Sequence, residues 1–126
     1  MGGVGYVYAV NDSGQVLKVD KKSNNYTFIG DRIYSGGGVE WGDPIVGVDK
    51  CIYWPPSNAD RVLKFDPETQ QLPSLVGDDL GKGLFKWEGG ALATDGAINF
   101  IPCCSTQVLA IDPFKRFSVS VPCRPI

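Results

Sequence analysis

Short alternations of apolar and polar residues run along the chain, and no stretch of ten or more residues has the spacing of a capped amphipathic helix. In RVLKFD (61–66), Leu63 and Phe65 fall on one side of an extended segment and Lys64 on the other. Alternation with a period of two predicts a β-strand. Polar segments such as SNAD (57–60) separate one alternating segment from the next. The pattern therefore predicts an all-β chain with almost no helix.

The alternating segments recur at a fixed interval. QVLKVD begins at residue 15, RVLKFD at 61 and QVLAID at 107, and both spacings are 46 because 61 − 15 = 46 and 107 − 61 = 46. Shifted by 46, residues 40–67 align with 86–113 without a gap. A fixed period of this size indicates a repeat architecture. We assign repeat units to 1–34 (a truncated copy), 35–80 and 81–126.

Each unit divides into four short candidate strands. In the middle unit they are about 41–48, CIYWP (51–55), RVLKFD (61–66) and LPSLVG (72–77). The same ungapped shift puts Tyr6 and Tyr8 at the positions of Ile52 and Trp54. Each third segment ends in an Asp, followed by Pro in two of the copies, and this pair favours a turn. The first unit lacks the segment that begins with Trp in the others.

Four strands in about 40–50 residues is the size of one β-propeller blade. Both faces of a blade pack on neighbouring blades, and a repeated aromatic at Tyr8, Trp54 and Phe100 suits that role. Glycines next to the tryptophans suit an inner strand where blades crowd together; they are Gly42, Gly89 and Gly90. The predicted fold class is an all-β partial propeller over residues 1–126, with four antiparallel strands per blade and about 2.75 blades. A β-solenoid, whose repeats are usually shorter, is the alternative.

The segment WEGGALATDGAINFIP, followed by QVLAIDP, carries a resemblance to a known repeat class. It resembles the kelch-like and NHL-like propeller repeats that occur in tandem in large proteins of algae and other protists. The resemblance implies a non-catalytic interaction platform, and it carries no catalytic residue over to this chain, because the motif is structural.

Fewer than three blades leave two blade faces without a neighbour, and exposed apolar faces indicate association. Three explanations remain open at this point: the chain is a piece of a longer protein, it completes itself with further copies, or it packs against other subunits. The predicted partner is therefore a protein partner or a second copy that completes the propeller.

Composition narrows the partners further. The chain has 126 residues, a hydrophobic fraction of 43% and a formal net charge of −2. The charge argues against a nucleic-acid surface, which usually carries clustered positive residues. No apolar run is long enough to span a membrane, and MGGVGYVYAV at the start lacks the pattern of a signal peptide. These features favour a soluble intracellular or organellar location without defining the compartment.

Candidate binding residues lie on the turns that follow the second strand of each blade. The residues considered are Asn11, Asp12, Asn58, Asp60 and Arg61. Loops at the ends of blades carry most propeller binding surfaces, although ordinary turn formation also explains Asn, Asp and Ser at these places.

The two repeat tryptophans, Trp41 and Trp87, could stack a ligand near the channel or could simply pack in the core. Aspartates repeated once per blade, such as Asp66 and Asp112, could ring a calcium ion or act as an acid/base pair, but a repeated turn explains them more simply.

No catalytic residue, metal site or cofactor is predicted. The chain has no histidine, and its four cysteines, Cys51, Cys103, Cys104 and Cys123, lack zinc-ligand spacing, so free thiols are expected. GDDLGKG (77–83) resembles a phosphate loop, but the motif would need Gly at position 76 and Ser or Thr at position 83. The chain has Val76 and Gly83 there. The predicted function is a non-catalytic interaction or scaffold module, such as an accessory subunit of an algal organellar assembly. The alternatives are a carbohydrate-binding propeller and a propeller hydrolase or lyase.

Overall fold

A computed structural model describes residues 5–11, 14–30, 40–69, 72–81 and 83–114, together with the backbone of 118–122. Within these residues the secondary structure consists of strands and turns, without a helix. The strands are β1 (Tyr6–Val10), β2 (Val16–Asp20), β3 (Tyr26–Ile29), β4 (Ile45–Val46), β5 (Ile52–Trp54), β6 (Val62–Phe65), β7 (Ser74–Val76), β8 (Trp87–Leu92), β9 (Ile98–Pro102), β10 (Gln107–Ile111) and β11 (Ser118–Pro122).

The strands form three antiparallel sheets, one for each repeat unit. The first has the order β1-β2-β3, the second β4-β5-β6-β7 and the third β8-β9-β10-β11. Within each sheet every strand pairs with its sequence neighbour, as in the blades of a propeller. The predicted all-β fold class, a partial propeller, is therefore confirmed, and we call the three sheets the first, second and third blades.

The predicted first strand of the middle unit, 41–48, is much shorter in the structure. Only β4 forms there, together with an isolated bridge between Trp41 and Pro56. Pro44 interrupts the segment because it has no N–H to donate to a neighbouring strand. The N–H of Asp43 instead bonds the carbonyl oxygen of Glu88 in the third blade at 2.7 Å. The inner strands of these two blades are therefore tied together.

Two hydrophobic cores lie between the blades. The core between the first and second blades is built around Val16, Trp54 and Phe65. The core between the second and third blades is built around Tyr53 and residues of β9 and β10, including Phe100 and Leu109. Each core joins side chains from two sheets, so burial of apolar area holds the blades together.

The alternation in β6 buries both faces of the second blade. Leu63 and Phe65 point into the core shared with the first blade, and Val62 points into the core shared with the third. All three side chains are at most 1% exposed. Only Lys64 of this strand is half-buried, since each side of the sheet meets another blade.

The register of the first blade corrects the ungapped repeat alignment. Leu63 pairs with Trp54, and the repeat-equivalent Leu109 pairs with Phe100. In the first blade the equivalent Leu17 pairs with Ala9, so Tyr8 is one position out of step. The hairpin joining β1 and β2 is one residue shorter than its counterparts, and a slip of one residue turns every side chain to the opposite face. The prediction that Tyr6 and Tyr8 occupy the Ile52 and Trp54 positions is therefore wrong.

The slip decides where Tyr8 points. Its ring packs against Phe65 of the second blade, with ring centroids 5.3 Å apart. Trp54 points the other way, from the second blade toward the first, and Phe100 points from the third toward the second. The predicted aromatic repeat thus holds for Trp54 and Phe100, while Ala9 occupies the corresponding place in the first blade.

The repeated aspartates form turns. In each case one carboxylate oxygen accepts a hydrogen bond from the backbone N–H two residues later, at 2.9–3.1 Å; these residues are Asp20, Asp49, Asp66, Asp95 and Asp112. The carboxylate substitutes for a backbone acceptor and fixes the turn. The structural interpretation of the repeated aspartates is confirmed.

Three of the four cysteines lie in the described residues, and all three are free thiols. Cys51 is buried, whereas Cys103 and Cys104 are exposed. Burial, with a contribution from Asp49, raises the pKa of Cys51 to about 11. Cys123 lies outside the described residues.

Candidate functional site

The turns that precede β2 and β6 place several of the predicted binding residues at one end of the blades. The side chain of Asn11 accepts a hydrogen bond from the N–H of Gln15 at 3.0 Å, which closes the turn between β1 and β2. Asp12 lies outside the described residues. The side chain of Arg61 is exposed. Asn11 therefore has a turn-forming role in addition to any contact with a ligand.

The turn at 57–60 is built on the carbonyl oxygen of Glu40. That oxygen accepts hydrogen bonds from the N–H groups of Ser57, Asn58 and Ala59 at 2.9–3.1 Å. Three donors on one carbonyl hold the turn tightly against the start of the inner segment of the second blade. The loop is thus part of the blade's framework.

The same turn contacts the third blade. The carbonyl oxygen of Ser57 accepts a hydrogen bond from the N–H of Lys86 at 3.0 Å. The side-chain oxygen of Asn58 accepts one from the N–H of Phe85 at 2.9 Å. Asn58, predicted as a binding residue, is therefore half-buried and bonded across the interface between blades.

Lys86 lies at the centre of this interface and is only 6% exposed. Its Nζ donates hydrogen bonds to the carbonyl oxygens of Ala59 at 2.8 Å and Gly83 at 2.7 Å. Burial lowers the pKa of the ammonium group, and the carboxylates of Asp60 and Asp79 oppose that shift. Asp60 thus influences the pKa of Lys86 through its negative charge.

Glu40 is the repeat equivalent of Lys86, since 86 − 40 = 46. The side chain is 2% exposed, and within the part of the chain that the structure describes neither carboxylate oxygen has a hydrogen-bond partner. Burial raises the pKa of Glu40, and the positive charge of Lys86 lowers it to a smaller extent. A buried carboxylate without a partner is energetically costly and could take up a proton.

A hydroxyl–carboxylate pair lies beside Glu40. The hydroxyl of Ser57, which is fully buried, donates a hydrogen bond to the carboxylate of Glu88 in the third blade. Glu40, Ser57, Lys86 and Glu88 form a polar cluster that the sequence pattern did not predict. Its signal was a charged residue directly before each repeat tryptophan, with opposite signs at Glu40 and Lys86.

The two repeat tryptophans are core residues. Trp41 is 4% exposed and Trp87 is 2% exposed. The indole N–H of Trp41 donates to the carbonyl oxygen of Arg61 at 2.9 Å, and that of Trp87 donates to Gln107 at 2.7 Å. Their packing role is thus observed, and access for a stacked ligand is small in this arrangement.

The face of the first blade that points away from the second blade is apolar. We call it the first-blade face, and it consists of Val7, Ala9, Leu17, Val19 and Phe28. Val7 is 47% exposed and Phe28 is 49% exposed. Ile52 and Ile98, the equivalents of Val7, lie in the cores, and Leu75, the equivalent of Phe28 in the second blade, packs against one of them. This face therefore has the character of an interface between blades.

A shallow polar pocket of about 270 Å³ lies on the first blade. Its walls include Tyr6, Tyr26, Lys18 and Asp20, and the Nζ of Lys18 lies 4.1 Å from the centroid of the Tyr6 ring. A second pocket of about 160 Å³ contains Lys64, Asp66 and Ser74, the equivalents of Lys18, Asp20 and Thr27. The repeat thus produces one pocket on each of two blades.

The described residues contain no group of three or more Asp, Glu, Cys or His side chains placed to bind a metal ion. They also contain no helix long and apolar enough to cross a membrane.

The sequence matches no family model and no curated protein. It is similar in structure to a streptogramin B lyase, with 17% identity and a TM-score of 0.72 over 96% of this chain and 38% of that one. It is also similar to the extracellular domain of a one-component system from B. thetaiotaomicron, with 17% identity and a TM-score of 0.66 over 98% of this chain and 17% of that one. Both are propeller-type proteins. The similarity shows a β-propeller fold, and this chain spans less than half the length of either protein.

Proposed function

We propose that the chain is a non-catalytic β-propeller module that binds protein through an unpartnered blade face. The observation that supports this proposal is the first-blade face. Val7 is 47% exposed, whereas its equivalents Ile52 and Ile98 are 5% and 0% exposed. The sequence thus places an interior type of side chain at a position where the described residues provide no neighbouring blade.

The polar end of the blades supports the same proposal. Asn11, Asn58 and Lys86 use their side chains in internal hydrogen bonds that shape turns or join blades. Side chains committed in this way serve the framework. The wider proposal, an accessory subunit of a larger assembly such as an algal organellar complex, rests on the resemblance to kelch-like or NHL-like repeats and on the unpartnered face.

The test is site-specific photo-cross-linking in the native cells. A benzophenone side chain replaces Phe28 in the first-blade face, and the matched control replaces Glu68, which is exposed on a turn of the second blade. We expect the probe at position 28 to give a discrete protein adduct that mass spectrometry identifies. Equal, diffuse labelling from both positions would contradict the proposal.

A carbohydrate-binding function is the second candidate, and the pocket beside Tyr6 favours it. Tyr6 and Tyr26 offer aromatic surface, and Lys18, Asp20 and Asn25 offer polar groups of the kind that bind sugar hydroxyls. A glycan array with the wild type and a Tyr6→Ala variant tests this function. Binding that disappears in the variant would support it, and a blank array with the folded wild type would exclude the glycans tested.

Catalysis is the third candidate function. The name of the structural neighbour, a lyase, describes that protein and not this chain. A hydrolase or lyase reaction here would need an accessible general base. Glu40 has a raised pKa but is 2% exposed, so its position favours a structural role.

A further inference from the structure

The two interfaces between blades in this chain have the same construction. Each blade has one side that packs on the following blade and one side that packs on the preceding blade. At each interface, the first kind of side meets the second kind. Tyr8 of the first blade meets Phe65 of the second in this way. Tyr53 of the second blade likewise shares a core with Ile98 and Phe100 of the third. One kind of contact is therefore used twice.

The first-blade face is a further copy of one half of this contact. Val7, Leu17 and Val19 pair across β1 and β2 in the same register as their counterparts in the second and third blades. Those counterparts are 0–5% exposed: Ile52, Leu63 and Phe65 in the second blade, and Ile98, Leu109 and Ile111 in the third. The first-blade face thus corresponds to the side of the second and third blades that packs against the preceding blade.

The third blade presents the other half. We call its outward side the third-blade face, consisting of Ala91, Asn99, Ile101, Val108 and Ala110. Ile101 is 57% exposed. The counterparts of Val108 are Val16 and Val62, and both are fully buried between blades.

The third-blade face lacks the lysine of its counterparts, although it carries the amide of Asn99 where they carry Tyr8 and Tyr53. Lys18 and Lys64 occupy one equivalent position in the first two blades, and Ala110 occupies it in the third. The first-blade face, which by register also includes Tyr26 beside Phe28, carries no Asp, Glu, Lys or Arg either. Two uncharged and mainly apolar sheet faces on one chain fit an interface formed mainly by hydrophobic burial.

We infer that the first-blade face of one copy packs against the third-blade face of a second copy. This arrangement rests on the proposed function, because it names the protein that the unpartnered face binds. The contact is heterologous, since two different surfaces meet. By analogy with Tyr8 and Phe65, Asn99 of one copy lies near Val19 of the other. Two copies place six blades in one assembly, within the range of about 4–8 blades in propellers.

Complementation between two variants tests the pairing. Val7→Asp puts a charge on the first-blade face, and Ile101→Asp puts one on the third-blade face. Both side chains are about half exposed in the isolated chain, so each variant is expected to fold. Circular dichroism and thermal melting verify the fold. Thr27→Asp, in the first blade but on the opposite side of the sheet, is the matched control.

Sedimentation velocity is measured for the wild type, each variant and an equimolar mixture of the two variants. We expect the wild type and Thr27→Asp to associate and each interface variant alone to associate at least about tenfold more weakly. The mixture should recover a two-chain species, because it contains one undamaged face of each kind. A mixture that behaves like the separate variants overturns the inference.

Two other results also overturn it. If Ile101→Asp alone associates as tightly as the wild type, the first-blade faces pair with each other. If the wild type remains a single chain at all concentrations, no second copy binds. In that last case, a cross-link from position 28 to a different protein would still support the proposed function. If no such cross-link forms, the inference and the proposed function are both contradicted.

Discussion

The indole N–H of Trp41 donates a hydrogen bond to the carbonyl oxygen of Arg61, twenty residues further along the chain, at 2.9 Å. Trp87 makes the equivalent bond to Gln107, also twenty residues away, at 2.7 Å. Each bond joins the start of a blade's inner segment to the start of its third strand. Because it is repeated, it belongs to the framework of the blade.

Replacing Trp41 by Phe should destabilise the chain by about 1–3 kcal/mol, because the carbonyl oxygen of Arg61 loses the indole donor at a half-buried site. Trp87→Phe should cost less, because the carbonyl oxygen of Gln107 also accepts a hydrogen bond from the hydroxyl of Ser105 at 3.4 Å. Urea unfolding of the two variants measures both effects. A variant as stable as the wild type would show that the hydrogen bond does not hold the blade together.

Gly42 is required by the close approach of the second and third blades. A Cβ at this position would lie 2.5 Å from the carbonyl oxygen of Glu88, whereas a Cβ at Gly89 would have its nearest neighbour 4.0 Å away. Gly42→Ala should therefore destabilise the chain by about 1–3 kcal/mol, and Gly89→Ala should change its stability by less than about 1 kcal/mol. Thermal unfolding of this pair measures the contrast, and equal effects would contradict the proposed crowding.

The register of the first blade predicts opposite results at two adjacent residues. Tyr8→Asp should destabilise the chain by about 2–3 kcal/mol, because the ring packs on Phe65 in the core. Val7→Asp should cost less than about 1 kcal/mol in dilute solution, because that side chain is 47% exposed. Denaturant unfolding at low protein concentration measures both. The reverse order would support the ungapped alignment.

Glu40 predicts a pH dependence of stability. Its pKa in the folded chain is raised above the ordinary value of 4.5, so the folded state binds the proton more tightly than the unfolded state. The favourable contribution of the protonated form is fully present below pH 4.5 and is lost as the pH rises through the folded pKa. Relative to Glu40→Gln, the wild type should therefore lose stability between pH 4 and pH 7.

The free energies of unfolding of the wild type and Glu40→Gln, measured at both pH values, test this prediction. Glu68→Gln, at an exposed turn position, is the matched control and should follow the wild type. A wild type that gains stability over Glu40→Gln as the pH rises would show that the charge of Lys86 outweighs burial.

Much of the fold could be predicted from the sequence, since the strands repeat at a fixed spacing. The register of β1 could not. In YVYAV (6–10), every residue from Tyr6 to Val10 is apolar or aromatic, so alternation does not show which side faces the core. The length of the following turn decides it, and that turn is one residue shorter than in the other two blades.

The polar cluster was harder to predict than the strands. Glu40 and Lys86 are charged, and charged residues are normally assigned to the surface. Their burial follows from the packing of the turn at 57–60 against the third blade, which is a contact between units. Repeat alignment gives the position of a residue within its own blade, and it gives little information about contacts between blades.

The most direct test of the central claim, that the unpartnered blade faces associate, is the solution mass of the unmodified chain. Light scattering on a sizing column, over a dilution series, measures it. We predict a concentration-dependent species near 27.2 kDa, because 2 × 13.6 = 27.2. A folded species that stays at 13.6 kDa at every concentration would contradict the claim that these faces bind a second copy.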